Sequence, residues 1–430
     1  MVYVLSKNGA PLMPCSPRKA RLLLAGNKAK VVRKTPFIIK LVYGSTEYRQ
    51  TVVAGLDTGS TVVGCAAVAN GCVVYQSETI LRNDITGKLK SRSSYRRTRR
   101  GRKTRYRAAR FDNRSASCRK DRLPPSLNSK ITSHQREVAA VNSILPVSEW
   151  IFELAAFDIH KITNPEVTGV GYQQGALMQF YNVKQFVYAR DSYRCQSGQK
   201  IKHSTRLHAH HKLFKSQGGA DTQDNLITLC ETCHADLHKG LFSLKAKTSR
   251  SKTKHATEMG VIKSRLAKDA IAHTVTYGYE TKFKREQHLK LDKTHANDAI
   301  AICVKEGASV LPMANILIKR HLSKGDYQQT SGKRSQLTIP TGKLFGFRKG
   351  DKVATSRGMG FVKGKRSSGY FSISDIDGGI IHASEKVTNC VRLAARSTTQ
   401  VEEIKLTKLI ERRKEASLNK QLKKPTKAQA

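Results

Sequence analysis

Acidic residues are scarce in this 430-residue sequence. Only 32 Asp and Glu stand against 78 Lys and Arg, a formal net charge of +46 with a pI near 10.2. Self-repulsion of that size disfavours a compact chain unless a polyanion offsets it, so nucleic acid is the expected partner. Long apolar runs are also missing. No window approaches the ~20 residues of a membrane span and no basic amphipathic helix dominates, which sets a membrane partner aside. The apolar stretch in Met1–Lys7 is too short for a signal peptide. The nine cysteines are odd in number and scattered. They suit a reducing prokaryotic cytoplasm, near the nucleoid, better than a disulfide framework. Internal repeats are absent, and the length allows two to four domains.

With so few acids, those set inside apolar runs stand out. Asp57 closes Val53-Ala54-Gly55-Leu56-Asp57, the first of three β-like runs (Val52–Leu56, Val62–Val68, Cys72–Tyr75) that read as a meander. Glu153 interrupts Trp150-Ile151-Phe152-Glu153-Leu154, where burying an acid is costly without a purpose. Asp298 heads an apolar helix expected over Asp292–Lys305. An acid on the first strand of a meander, with carboxylates from distant segments, is how RNase H-like nucleases hold two Mg²⁺ ions about 4 Å apart. His295, three residues before Asp298 on the same helical face, is placed to position the attacking water.

A second constellation is compact. His210-His211 is followed by Gly218-Gly219, Asn225 and Cys230-x-x-Cys233-His234-x-x-x-His238. This order reads as a ββα-metal nuclease, with His211 as general base on water and His210 turned to a divalent ion. Asn225 orients the base, and His234 and His238 share a helical face and complete the metal shell. Cys230 and Cys233 have zinc-knuckle spacing, but upstream Cys195-Gln196-Ser197-Gly198 supplies one sulfur where two are expected. A structural zinc would need His203 or His208 as fourth ligand, and apolar packing of three thiols competes with that reading.

Arginine is concentrated between the two. Arg92, Arg96, Arg97, Arg99, Arg100, Arg102, Arg105, Arg107 and Arg110 lie within twenty residues that hold no acid. The stretch reads either as a solvated, disordered basic tail or, given its place between two segments that look like core, as an ordered helix, which spans about 30 Å with guanidinium groups on all sides and contacts two phosphate backbones at once. Elsewhere, residues 2–43 read as a small β-rich module with a basic helix near Pro17–Ala25. Residues 172–194 read as helical, 243–290 as basic, mixed and loop-rich, 338–395 as short strands of a small barrel, and the tail from Leu406 as a Lys-rich helix.

These residues resemble the IscB family, transposon-associated RNA-guided nucleases related to the type II CRISPR effectors. The resemblance covers almost the whole chain. Pro11-Leu12-Met13-Pro14 is similar to the motif naming that family's N-terminal domain. Gly55–Gly59, Phe152-Glu153-Leu154 with Phe157-Asp158, and His295-x-x-Asp298-Ala299 resemble its three RuvC segments. Arg92–Arg110 resembles its bridge helix, Tyr172-Gln173 with Gly175 its lead into HNH, and Gly346–Asp351 the opening of its C-terminal domain. Gly198 in place of a cysteine and Leu213-Phe214 in place of a proline depart from the pattern.

The resemblance implies a multidomain α/β (α+β) protein with an RNase H-like RuvC core and an inserted ββα-metal HNH module. It implies an N-terminal domain over 1–50, RuvC segments over 51–85, 116–170 and 243–312, a bridge helix over 86–115 and a linker helix over 171–189. HNH would occupy 190–242, and a C-terminal domain reading a target-adjacent motif 313–430. Asp57, Glu153, His295 and Asp298 would be the RuvC set with two Mg²⁺, and His211 the HNH base beside one Mg²⁺. The implied activity is cleavage of double-stranded DNA by a monomeric ribonucleoprotein with a guide (omega) RNA. HNH would cut the guide-paired strand and RuvC the displaced one. Two other readings stay open: a guide-free HNH endonuclease of homing type, and a catalytically idle RNA-binding transposition regulator.

Overall fold

The computed structural model describes residues 1–46, 48–101, 122–154, 180–199, 201–214, 219, 222–244, 254–268, 271–323, 325 and 342–412. The side chains of residues 99, 100, 254, 255 and 257 are outside that description. The chain forms two units, Met1–Ala155 with Ile262–Ala430, and Ala156–Val261. It is a mixed α/β protein, with four separate sheets among the described residues.

The first unit begins with β1 (Val2–Leu5), β2 (Pro11–Cys15), α1 (Pro17–Ala25), β3 (Ala29–Arg33) and β4 (Ile38–Leu41), a sheet in the order β2-β1-β4-β3. Helix α1 starts where Ser16 accepts the Lys19 N–H and Pro17 pre-sets the backbone. It covers a core of Val2, Val4, Leu12, Ile39 and Leu41.

The main sheet collects strands from across the sequence. β5 (Val52–Asp57), β6 (Val62–Ala69) and β7 (Cys72–Ile80) are an antiparallel meander. Asn70 and Gly71, both at positive φ (46° and 69°), supply the two-residue turn that suits a twisted hairpin. Helices α2 (Ile85–Gly101) and α3 (Pro125–Asn142) follow, then β8 (Glu149–Glu153), which pairs parallel with β5. The second unit intervenes with α4 (Val183–Arg190), β9 (Leu207–His211), β10 (Leu226–Cys230) and α5 (Glu231–Lys239), and α6 (Lys254–Leu266) leads out of it. β11 (Thr274–Thr276), α7 (Gly278–Phe283), α8 (His295–Cys303) and β12 (Asn315–His321) come next. A five-stranded sheet then holds β13 (Lys352–Thr355), β14 (Gly358–Lys365), β15 (Tyr370–Ser374), β16 (Ile380–Lys386) and β17 (Val391–Ala394). β18 (Thr399–Lys405) returns to the main sheet, whose order is β11-β8-β5-β6-β7-β12-β18.

Two helices cover opposite faces of β7. Tyr75, Ser77 and Thr79 point to α3, where the buried Glu137 accepts all three hydroxyls at 2.8, 2.6 and 3.0 Å. Lys319 on β12 closes this charge at 2.8 Å. Glu78, on the alternate face, accepts the Ala296 N–H of α8 at 3.2 Å. Burial pushes Glu137 up, yet the Lys319 ammonium and the hydroxyl donors outweigh it and hold the carboxyl at about 2.

Three expectations are revised. Residues 243–290 are not mainly loop, because α6, β11, α7 and a π-helical turn at Lys284–His288 occupy much of the described part. The barrel at 338–395 is an open five-stranded sheet among the described residues. A C-terminal domain beginning at 313 does not match the sheets, since β12 and β18 pair with each other and β12 with β7. Their apolar side chains, Ile316, Ile318 and Ile404, are buried in a cluster with Ala296 of α8. Local sequence could not show this, because it depends on which distant strand offers an unpaired edge. Residues 406–412 are helical, and the rest of the expected tail helix lies outside the described residues.

Candidate active sites

The acid site forms at the ends of β5 and β8. Parallel register sets Asp57 opposite Glu153, and α8 lies across β5 and β6 to add His295 and Asp298. The helix lies this close because residue 64 is glycine. A Cβ there would stand 2.0 Å from the His295 carbonyl oxygen. Thr294 caps α8 by accepting the Asn297 N–H at 3.0 Å, which sets where His295 and Asp298 emerge.

Asp57, His295 and Asp298 bring one ligand atom each within 4.8 Å of one another. His295 Nδ1 lies 2.6 Å from Asp57 Oδ2, so the histidine is tied to the first-strand acid. Burial raises the Asp57 pKa, His295 opposes it, and Asp298 and Glu78 add to it. Burial first, then repulsion from Asp57, pushes Glu153 up to about 7. Among the described residues, carboxylates outnumber cations at the site. Hard carboxylate oxygens with that deficit are the donor set of Mg²⁺, so the residues fit the ion.

Sequence reasoning missed one cation here. Buried Arg285, on the π-helical turn, places Nε 2.6 Å from Asp298 Oδ1 as an ion pair outside hydrogen-bond alignment, and donates to Glu286 at 2.9 Å. As one of 78 basic residues it carried no local signal. Glu78, buried behind the site, was missed for the opposite reason: its run Cys72–Ile80 reads as an ordinary strand.

The histidine site is built on β9, β10 and α5. His210 faces His234 and His238, with ring centroids 5.1 and 5.2 Å away, and their ligand atoms lie within 4.8 Å of one another. Burial, then the neighbouring His234, His238 and His211, hold His210 down to about 4, so it is neutral and able to ligate. His211 is the adjacent residue on β9, its neighbour across the hairpin being Leu226. Asn225, fully buried, donates to the Leu213 carbonyl and accepts the Leu213 N–H, both at 3.0 Å. It clamps the chain two residues after His211. Gly219 completes that clamp, because a Cβ would meet the Leu213 oxygen at 1.8 Å. Gly218 lies outside the described residues. Three imidazoles are a donor set for Zn²⁺- or Ni²⁺-like ions and suit Mg²⁺ poorly. The cluster fits a single divalent ion.

The cysteines converge as well. Cys195, Cys230 and Cys233 meet His203, all four ligand atoms within 4.8 Å of one another. His203 Nδ1 lies 3.5 Å from both Cys230 Sγ and Cys233 Sγ. His208 belongs elsewhere, stacked on His234 at 5.0 Å. Gly198 sits at φ 71°, and the Ser197 hydroxyl approaches Cys233 Sγ at 3.2 Å. Burial raises the Cys230 thiol, but the Thr232 hydroxyl, the Cys233 N–H and His203 outweigh it and favour the thiolate. A Cys₃His donor set fits zinc. The sequence signal for His203 was its type alone.

Of the arginines, Arg92, Arg96 and Arg97 are exposed on α2. Arg99 and Arg100 lie in that helix with undescribed side chains, and Arg102, Arg105, Arg107 and Arg110 lie outside the described residues.

Comparison with known proteins places two regions. Residues 2–175 match the RRXRR protein family, whose name is spelled by Arg96-Arg97-Thr98-Arg99-Arg100, and residues 194–240 match the HNH endonuclease family. The chain thus carries an HNH endonuclease domain. No curated protein matches it. A crystal structure of Campylobacter jejuni Cas9 with sgRNA and target DNA aligns at 11% identity and a TM-score of 0.10. That alignment covers 52% of this chain and 30% of the Cas9 chain, too distant a likeness to carry an argument.

Proposed function

We propose, from the premise that an RRXRR region joined to an HNH endonuclease domain fits an IscB/Cas9-like RNA-guided nuclease, that this chain is an RNA-guided DNA endonuclease with two strand-specific sites. One observation carries the reading: two separate ligand clusters of different chemistry, one acidic and one imidazole, occur in a chain of net charge +46.

The seven-stranded sheet with Asp57, Glu153, His295 and Asp298 is the RNase H-like RuvC core, and it cuts the displaced strand. In the HNH module His211 takes the proton from water as it attacks the guide-paired strand, while Asn225 holds the chain after the base in place. His210, His234 and His238 hold the divalent ion there; Asp57, Glu153 and Asp298 hold Mg²⁺ in the acid site. When bound, these ions neutralise the scissile phosphate and stabilise the leaving 3′-oxygen. Asp57 keeps His295 oriented, and Arg285 balances the charge of Asp298. Cys195, His203, Cys230 and Cys233 hold a structural zinc that staples the HNH module.

The Arg-rich helix grips the phosphates of a guide (omega) RNA, and the sheet at 352–394 reads a short motif beside the target. The protein acts as a monomeric ribonucleoprotein on nucleoid DNA. Sequencing RNA from the purified protein and following strand-labelled target DNA tests this. RNA of discrete length with programmable cutting is expected. Heterogeneous RNA with guide-independent cutting would overturn the reading in favour of a homing-type HNH enzyme.

A further inference from the structure

Beside the acid site three aromatic rings stand in water. Tyr277 is 42% exposed, Tyr279 73% and Phe283 52%. Single exposed apolar side chains are ordinary, but three large rings within seven residues form a patch of the kind that serves a contact. The two tyrosines are also aligned. Their rings are within 6° of parallel with centroids 6.2 Å apart, so both present flat faces in one orientation. Glu280 fixes the frame: one carboxylate oxygen accepts the Tyr279 hydroxyl at 3.0 Å, the other the Thr276 hydroxyl at 2.5 Å. The hydroxyl is anchored while the ring is left outward.

The position ties these rings to the chemistry. Thr276, just before Tyr277, sits opposite Glu153 in the β11–β8 register. A methyl group at Gly278, between the tyrosines, would lie 3.0 Å from Glu153 Oε1. The segment therefore skirts the carboxylate itself. Lys282 and Lys284 follow, Lys282 with 68% of its side chain in water and its Nζ 4.0 Å from Glu286. Flat rings, flanking ammonium groups and phosphodiester-handling acids suit a nucleic acid strand; lysines interleaved with the rings break up the patch a protein partner would need.

We propose that Tyr277 and Tyr279 form a stacking platform for unpaired bases of a single-stranded DNA entering the acid site. The proposal rests on the reading of that site as the nuclease for the displaced strand. Stacking explains how the site selects a single strand without reading sequence. Every base has a π-face, and in a duplex both faces are already taken by neighbouring pairs.

The test uses the full-length ribonucleoprotein and a short single-stranded DNA carrying 2-aminopurine beside the cleavage position. Wild type should quench the probe. Tyr277→Leu with Tyr279→Leu should weaken its binding and slow displaced-strand cutting by roughly 5- to 150-fold per lost stack. Tyr277→Phe with Tyr279→Phe keeps the rings and should stay near wild type. Abasic nucleotides at the stacked positions should reproduce the loss in wild type and add little to it in the Leu variant. Wild-type behaviour of the Leu variant, equal loss in the Phe variant, or losses that multiply would each overturn the platform. The underlying reading fails differently: quenching that depends on the tyrosines, with no cutting of the displaced strand, keeps the platform and removes the nuclease assignment.

Discussion

The two sites differ in how they are assembled. The imidazole ligands sit on one hairpin and the helix after it, His210 to His238, and lie inside the matched HNH region. The acid site joins Asp57 to His295 across 238 positions of sequence, and needs β5, β8 and α8 docked together before it exists. Electrostatically they are opposites. His210 is neutral, whereas Asp57, Glu153 and Asp298 crowd negative charge that, among the described residues, His295 and Arg285 relieve. A local site tolerates changes elsewhere in the chain; a non-local one inherits every packing error between its strands.

The sharpest way to break this comparison is by strand. His211→Ala should leave cutting of the displaced strand and remove guide-strand cutting, and Glu153→Ala the reverse. Each loss should be about 10²–10⁴-fold on labelled duplex. Loss of both cuts from either change, with binding intact, would show one site instead of two.

Packing offers the next largest contrast. Gly64→Ala drives a methyl into the backbone under α8 and should lower the stability of the first unit by about 1–3 kcal/mol or more, and displaced-strand cutting with it. Gly219→Ala should instead disturb the Asn225 clamp and depress guide-strand cutting selectively. Calorimetric melting read beside strand-specific rates separates the two.

Metals sharpen the chemical difference. Calorimetric titration should find Ni²⁺ binding the imidazole site at least about tenfold more tightly than Mg²⁺, an order lost in His238→Ala. His203→Ala and Cys233→Ser should both lower zinc content and HNH melting temperature, measured by elemental analysis and calorimetry. Stoichiometric zinc retained in His203→Ala would show that the histidine is a bystander.

A further effect is expected from acid. Burial holds His134 and His321 in the first unit down to about 4, against about 6.5 in an unfolded chain. Both take up protons on unfolding, so their contribution is present above about 6.5 and is lost as pH falls towards 4. The slope is about 1.4 kcal/mol per pH unit for each. Glu137 adds a second loss between about 4.5 and 2. Melting of His134→Gln/His321→Gln across that range should show a flatter slope, and an unchanged slope would clear these two groups.

Much of both sites is written locally. Asp57, Glu153 and Asp298 stand out because an acid inside an apolar run is costly, and His210, His211, Asn225, His234 and His238 because their order and helical spacing already specify a shared face. The Asn70-Gly71 turn and the Ser16-Pro17 helix start were equally local. By itself the sequence determined residue chemistry, the strand and helix periods, and a surplus of positive charge that calls for a polyanion. Only the tertiary structure decided the rest. It brought Arg285 to Asp298, chose His203 over His208 beside the three thiols, and drew β12 and β18 into the main sheet. Each of these depends on which surfaces are left unpaired after distant segments dock. A basic side chain, a histidine or a short apolar strand carries no mark of its partner until then.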